Sequence, residues 1–140
     1  MDVRRITLEE ICRQFRISML YAFGSQAKRL RDWIEENEDH LSSSSDVDIG
    51  VKGAQGKNFS ISEKVSLTLT LENFFKCQRV ELVILNEADP FLAAAIIRGE
   101  RLFASDEHEA DEYDLYVLRR AGDLIPLEHE RTALILENPL

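Results

Sequence analysis

Residues 46–51 have the sequence Asp-Val-Asp-Ile-Gly-Val, and this stretch decides the fold prediction. Its apolar residues alternate with polar or small ones, which is typical of a strand with one buried face. Because residues i and i+2 of a strand point to the same side, Asp46 and Asp48 lie together on the other face. Two carboxylates this close repel each other unless a cation lies between them. The pattern predicts a cation site or, alternatively, two aspartates that face solvent on an edge strand.

A second signal precedes this strand. Residues 17–23 are apolar and β-prone, and Gly24-Ser25 joins them to a charged, helix-prone segment. Glycine permits a tight turn, and the amides at the start of a helix bind anions. The Ser25 hydroxyl adds a further donor, and Lys28 and Arg29 follow in the first helical turns, within reach of a phosphate. The alternative is an ordinary turn with a helix N-cap.

A third signal follows it. Residues 79–85 form an apolar strand that is interrupted by Glu81. A charge in such a strand is costly to bury unless it is paired or binds a metal. If this strand lies beside the first, Glu81 supplies a third carboxylate to the same cluster. The alternative is a salt bridge from Glu81 to Arg79 or Arg98.

The rest of the chain alternates helical and extended patterns, which favours an α/β (α+β) fold: a small mixed β-sheet flanked by helices. Five helices and one further strand are expected. The first three helices span residues 7–16, which a capping box from Thr7 to Glu10 opens, residues 26–39, with an apolar stripe of Leu30, Trp33 and Ile34, and Ser60 or Ser62 to Phe75, with Val65, Leu69 and Leu71–Phe74 available for the core. The last two helices span residues 91–98, after Pro90, and 106–138, broken or kinked at Pro126, and a short edge strand at residues 101–104 lies between them.

Composition limits the class of protein. The 140 residues carry 17 Lys+Arg against 26 Asp+Glu, a net charge of −9, and 44% are hydrophobic. This fits one domain, residues 1–140. The acidic balance argues against direct, sequence-independent binding of nucleic acid, which needs a basic face. The longest apolar run is too short for a membrane span. Without a secretory signal, and with Cys12 and Cys77 far apart, we expect a cytoplasmic protein.

Together, Gly24-Ser25, the Asp46-x-Asp48 pair and Glu81 resemble the signature of polymerase-β-type nucleotidyltransferases. The resemblance is closer to one group, the minimal nucleotidyltransferase (MNT) antitoxins encoded beside HEPN-type ribonuclease toxins. The stretches that carry it are residues 80–86, Pro90, the helix ending at Arg98-Gly99, residues 101–103 and residues 113–120. It covers about residues 17–125 and implies a polymerase-β-like nucleotidyltransferase fold.

The resemblance implies transfer of AMP from ATP, with two Mg²⁺ ions, to a hydroxyl of the partner toxin, in this family a tyrosine. Gly24 and Ser25 would hold the β and γ phosphates. Asp46 and Asp48 would ligate both metals, and Glu81 would complete one metal and orient the attacking hydroxyl. The implied partners are ATP, a HEPN-type toxin and, through the C-terminal helical segment, the toxin or a second copy of the chain.

Two features depart from the family pattern. The gap between Gly24-Ser25 and the acidic pair is about twice the usual one, so residues 32–41 are expected to be a helical insertion. The third acid is Glu81 where the family commonly has aspartate, which sets the carboxylate one methylene further out. Because Mg²⁺ demands near-octahedral geometry, this departure favours an alternative, a catalytically weak or inactive module that neutralises a toxin by binding alone.

Overall fold

The computed structural model describes residues 3–35 and 46–124 in full and the helical backbone of residues 125–137. It confirms the predicted class, a mixed β-sheet flanked by helices. In chain order the elements are α1 (Val3–Gln14), β1 (Ile17–Phe23), α2 (Ala27–Glu35), β2 (Asp46–Gly53), α3 (Ile61–Phe75), β3 (Arg79–Ile84), a 3₁₀ turn (Leu85–Glu87), α4 (Pro90–Ile97), β4 (Glu100–Ala104) and α5 (Glu107–Glu137).

The sheet has the strand order β3-β2-β1-β4. Strand β1 is antiparallel to β2 and to β4, whereas β2 and β3 are parallel and are joined through α3. The apolar side chains of β2 face a core formed with α1, α2 and α3. A second, smaller core lies on the other face, under α4 and α5. Asp46 and Asp48 therefore lie on the α4–α5 side of the sheet.

Helix α3 confirms one local prediction and contradicts another. Ser60 is its N-cap: the Ser60 Oγ accepts from the Glu63 amide at 3.1 Å, and the Ser60 amide donates to Glu63 Oε1 at 3.0 Å. Val65 and Leu69, expected in the core, are exposed instead. The buried residues of α3 are Leu67, Leu71 and Phe75. Residues two positions apart on a helix point about 200° away from each other. The stripe of Val65 and the stripe of Leu67 are offset by two residues, so only one of them can face the sheet.

The structure corrects the predicted start of α1 and the predicted break in α5. Helix α1 begins at Val3, so Thr7 is not an N-cap; its hydroxyl donates to the Val3 carbonyl oxygen at 2.8 Å, one turn back inside the helix. Helix α5 is continuous from Glu107 to Glu137, so of the two outcomes expected at Pro126, a break or a kink, the break is wrong. Of the expected insertion 32–41, residues 32–35 belong to α2, and residues 36–41 lie outside the described residues.

A partly buried polar network attaches α5 to the sheet. Asp114 of α5 accepts a hydrogen bond from the Tyr21 hydroxyl at 2.5 Å and pairs with Arg101 Nη2 at 2.7 Å. Tyr21 lies on β1 and is completely buried, and Arg101 lies on β4. The network therefore joins three elements that are distant in sequence. Over the part of the chain that is described, no helix has the length and apolar character needed to cross a membrane.

Candidate active site

The parallel pairing of β2 and β3 brings the predicted acidic residues together. Asp48 is the register partner of Glu81, and Asp46 is the partner of Arg79. Paired residues of adjacent strands point to the same face, so the carboxylates of Asp46, Asp48 and Glu81 share the α4–α5 side of the sheet. Strand β2 lies between β3 and β1, so the alternative of two aspartates on an edge strand is wrong.

Asp48 is the electrostatic centre of this group. It is half-buried, whereas Asp46 and Glu81 are exposed. Burial raises the pKa of Asp48, and the negative charges of Glu81 and then Asp46 raise it further. The ionised form of Asp48 is therefore disfavoured in the protein alone, and a bound cation would relieve both causes. A perturbed pKa of this kind is a mark of functional carboxylates.

Gly24 allows the turn after β1 to approach Asp48. Its φ is +75°, in the left-handed region, and a Cβ atom built on it would overlap Asp48 Oδ2 and lie 3.3 Å from Asp48 Cγ. The contact follows from the antiparallel ladder, in which Phe23 is the register partner of Asp48. Only glycine combines this backbone conformation with this approach. The start of the Gly24-Ser25 turn is thus packed against the central carboxylate.

The other residues predicted to bind nucleotide lie beyond that turn. Ser25, Lys28 and Arg29 are exposed, the last two in the first turn of α2. Neither Lys28 nor Arg29 forms an ion pair with any residue that is described. Arg31 on the same helix is by contrast paired with Glu100 at 3.2 Å. Within the described ranges, the positive charges of Lys28 and Arg29 are therefore not matched by a carboxylate.

Glu81 forms the salt bridge to Arg79 that the sequence left open, and it does not close a three-carboxylate cluster among the described residues. It shares the face of Asp48, and its Oε1 atom also pairs with Arg79 Nη2 at 2.8 Å. Within the described ranges, no three His, Cys, Asp or Glu side chains form a group that could hold a metal ion. Mg²⁺ is usually held by one or two carboxylates, with substrate phosphates completing the shell. The oxygen donors of Asp46 and Asp48 fit that kind of open site.

Gly50 is a residue of this face to which the sequence analysis assigned no role. A Cβ atom at Gly50 would lie 2.5 Å from Ile96 Cγ2. Glycine therefore lets α4 pack directly on β2, behind the acidic pair. The sequence could have indicated this role, because Gly50 is two residues after Asp48 and therefore lies on the same face of β2 as Asp46 and Asp48.

Comparisons with known proteins agree with this fold. The family model described as "Polymerase beta, Nucleotidyltransferase" matches residues 7–108. No curated protein sequence matches the chain. Among solved structures, a toxin–antitoxin crystal structure with AMP-PNP has a TM-score of 0.67 at 18% identity, covering 95% of this chain and 96% of that one. A chain from the structure of a tri-AMPylated Shewanella oneidensis HEPN toxin in complex with MNT antitoxin has a TM-score of 0.65 at 17% identity. The match covers 96% of this chain and 95% of that one. At these identities the likeness shows the fold.

Proposed function

This chain belongs to the polymerase beta nucleotidyltransferase family, and from that membership we propose that it transfers AMP from ATP to a tyrosine hydroxyl of a HEPN-type toxin, acting as the antitoxin. The observation that carries the proposal is the position of Asp48, between the Gly24 turn and the carboxylates of Asp46 and Glu81. The similar structures support the choice of nucleotide and partner, because one holds AMP-PNP and another contains an AMPylated HEPN toxin.

In this proposal Asp46 and Asp48 hold two Mg²⁺ ions together with the phosphates of ATP. Bound there, the metal would supply positive charge to the α-phosphate of the adenylyl group that is transferred. The Gly24-Ser25 turn receives the β and γ phosphates, and Lys28 and Arg29 supply positive charge from the first turn of α2. The raised pKa of Asp48 supports this assignment, because a bound cation would offset the burial and the neighbouring negative charges that raise it.

The reaction forms one bond and breaks one. The tyrosine oxygen bonds to the α-phosphorus of ATP, the bond from that phosphorus to the bridging oxygen of the β-phosphate breaks, and pyrophosphate leaves with the bond's electron pair. The hydroxyl proton goes to a carboxylate. We assign that role to Glu81, which is exposed on the strand beside Asp48 and can accept a proton once its contact with Arg79 opens.

The charge of the chain supports a basic partner. With a net charge of −9 the surface is acidic, and an RNA-binding toxin presents positive charge. Complementary charge increases the association rate and is screened by salt. The exposed acidic residues at the start of α5 contribute to this surface.

A second candidate function is neutralisation by binding alone. It is favoured by Glu81, whose side chain is longer than the aspartate expected there and pairs with Arg79. Among the described residues, Glu81 does not join Asp46 and Asp48 in a group that could hold a metal ion. In this version the Asp46→Asn variant still protects cells from the toxin, whereas a disrupted α5 does not.

One experiment separates the two functions. The protein is incubated with its HEPN-type toxin, ATP and Mg²⁺, and the intact mass of the toxin is measured. Transfer predicts a gain of one or more adenylyl groups with the wild type and none with Asp48→Asn. Glu10→Gln, the same removal of a carboxylate charge at an exposed position of α1, is the matched control and should retain transfer. If the toxin mass is unchanged by the wild type although a stable complex forms, transfer is wrong and binding alone is supported.

A further inference from the structure

An arginine lies among the acidic residues of the candidate site. Arg79 begins β3 and is the register partner of Asp46, so both side chains point to the face of the sheet that carries Asp48. The packing of the strand agrees with this direction, because Val83, four residues further along β3, packs against the smaller core on that face. Arg79 Nη2 lies 2.8 Å from Glu81 Oε1. The acidic face therefore contains a positive charge that belongs to the chain itself.

The ion pair between Arg79 and Glu81 opens readily. The two side chains are 63% and 47% exposed, and an ion pair between solvent-exposed groups adds little to stability. Arg101 on β4 shows the opposite arrangement, since its side chain is only 20% exposed and contacts three carboxylates of α5. Arg101 is a fixed part of the fold, whereas Arg79 can change its partner without disturbing the fold.

The order of the strands indicates which part of a nucleotide would meet Arg79. The Gly24-Ser25 turn follows β1, Asp48 lies on β2 and Arg79 lies on β3, and these three strands are neighbours in that order. The proposed function gives the β and γ phosphates to the turn, so the α-phosphate is expected further across the sheet, toward β3. A guanidinium donates to the oxygens of a phosphate as well as to those of a carboxylate. The α-phosphate is thus the group that can replace Glu81 as the partner of Arg79.

We infer that Arg79 exchanges its partner in the proposed reaction, from the Glu81 carboxylate in the free protein to the α-phosphate of the bound nucleotide. The inference rests on the proposed function, because it needs a triphosphate at the Gly24-Ser25 turn. The exchange itself changes ion pairs and hydrogen bonds and no covalent bond. Its consequence is that nucleotide binding releases the Glu81 carboxylate, which then accepts the proton of the attacking hydroxyl. Glu81 becomes available as a base only when the group to be transferred is in place.

Calorimetric titration with α,β-methylene ATP at saturating Mg²⁺ tests the contact, because this analogue has an α-phosphate that is not transferred. Arg79→Ala should weaken its binding by about tenfold or more, the loss expected of one charge-assisted hydrogen bond. Arg79→Lys should recover part of the affinity, since lysine keeps the charge without the planar fork of donors. Pyrophosphate has no α-phosphate, and it should bind equally to the wild type and to Arg79→Ala.

Arg13→Ala is the matched control. Arg13 is also an exposed arginine paired with a glutamate of its own element, Glu9 at 3.8 Å, but α1 packs on the opposite face of the sheet. This variant should bind the analogue as the wild type does. Thermal melts check that each variant folds, which is expected because both arginines are exposed.

A Glu81→Gln background separates a phosphate contact from a role in holding Glu81. Glu81→Gln alone should bind the analogue at least as tightly as the wild type, because no ion pair has to open. Arg79→Ala should still weaken binding in that background if Arg79 donates to the nucleotide. No effect of Arg79→Ala there would mean that Arg79 only holds Glu81, and the inference would be overturned.

The same titrations separate this inference from the proposed function. If the wild type binds the analogue and Arg79→Ala binds it equally well, the exchange is wrong and the proposed function stands. If Arg79→Ala weakens pyrophosphate as much as the analogue, the contact is not to the α-phosphate and the inference fails in that form. A folded wild type that binds no nucleotide would overturn the proposed function and the exchange together.

Discussion

The carboxylate of Asp48 occupies the space that a side chain at residue 24 would need: a Cβ atom on Gly24 would overlap Oδ2 and lie 3.3 Å from Cγ. The turn after β1 and the acidic strand β2 are therefore matched to each other. Gly24 contributes both the left-handed backbone of the turn and the room for the carboxylate.

Gly24→Ala is expected to abolish binding of an ATP analogue while the protein still folds. The left-handed conformation alone costs an alanine about 1 kcal/mol, and the overlap with Asp48 displaces the carboxylate as well. Gly56→Ala is the matched control, because Gly56 has a φ of +79° and nothing within 4 Å of its Cβ position. The Gly56→Ala variant should lose a similar free energy of unfolding and keep the wild-type affinity for the ATP analogue. Calorimetric titration and thermal melts measure both, and equal loss of binding in the two variants would contradict a specific role for Gly24.

Asp48→Asn is expected to remove transfer and to raise the melting temperature modestly at neutral pH. Burial and two neighbouring acids raise the pKa of Asp48, so the folded chain binds a proton there more tightly than the unfolded chain. The ionised group therefore destabilises the fold above its raised pKa, and this effect disappears as the pH falls below the ordinary aspartate pKa of about 4. Thermal melts across pH should show the difference from the wild type shrinking toward acid. Asp123→Asn should follow the wild type throughout.

Asp114→Ala is expected to destabilise the protein by about 2 kcal/mol, because it removes the acceptor of the buried Tyr21 hydroxyl and the inner partner of Arg101. Asp111 contacts the same guanidinium at 2.9 Å, but its side chain is 68% exposed against 23% for Asp114. Asp111→Ala should therefore cost less than about 1 kcal/mol. Urea denaturation compares the two, and similar losses would mean that the network does not anchor α5.

Arg79→Ala is expected to tighten the binding of Mn²⁺ alone. The Arg79 guanidinium competes with a cation for Glu81, and an exposed pair of this kind changes affinity by about two- to fivefold. Arg98→Ala is the control, since Arg98 is the other arginine that the sequence offered to Glu81, and it should leave the affinity unchanged. Paramagnetic resonance of free Mn²⁺ measures binding without nucleotide. Weaker binding in Arg79→Ala would show that Arg79 does not oppose the metal.

Several features could be predicted from the sequence because short-range physics decides them. The alternation in β2 puts Asp46 and Asp48 on one face whatever surrounds the strand. The start of α3 at Ser60, one of the two serines proposed for it, depends only on the next three residues. The Gly24-Ser25 turn requires a conformation that glycine adopts readily. The Gly24-Ser25 turn and the Asp46-x-Asp48 pair also carried part of the family resemblance, together with Glu81 and with stretches between residues 80 and 120.

Other features depended on contacts between distant segments. Pairing of β2 with β3 brought Glu81 beside Asp48, and the same pairing placed Arg79 where it competes for Glu81. The helical period of α3 allowed either apolar stripe to face the sheet, and packing buried the stripe of Leu67 while it left that of Val65 exposed. A periodic sequence specifies that a face exists, but which face is buried depends on the surface it meets, and that surface is assembled only when the whole chain folds.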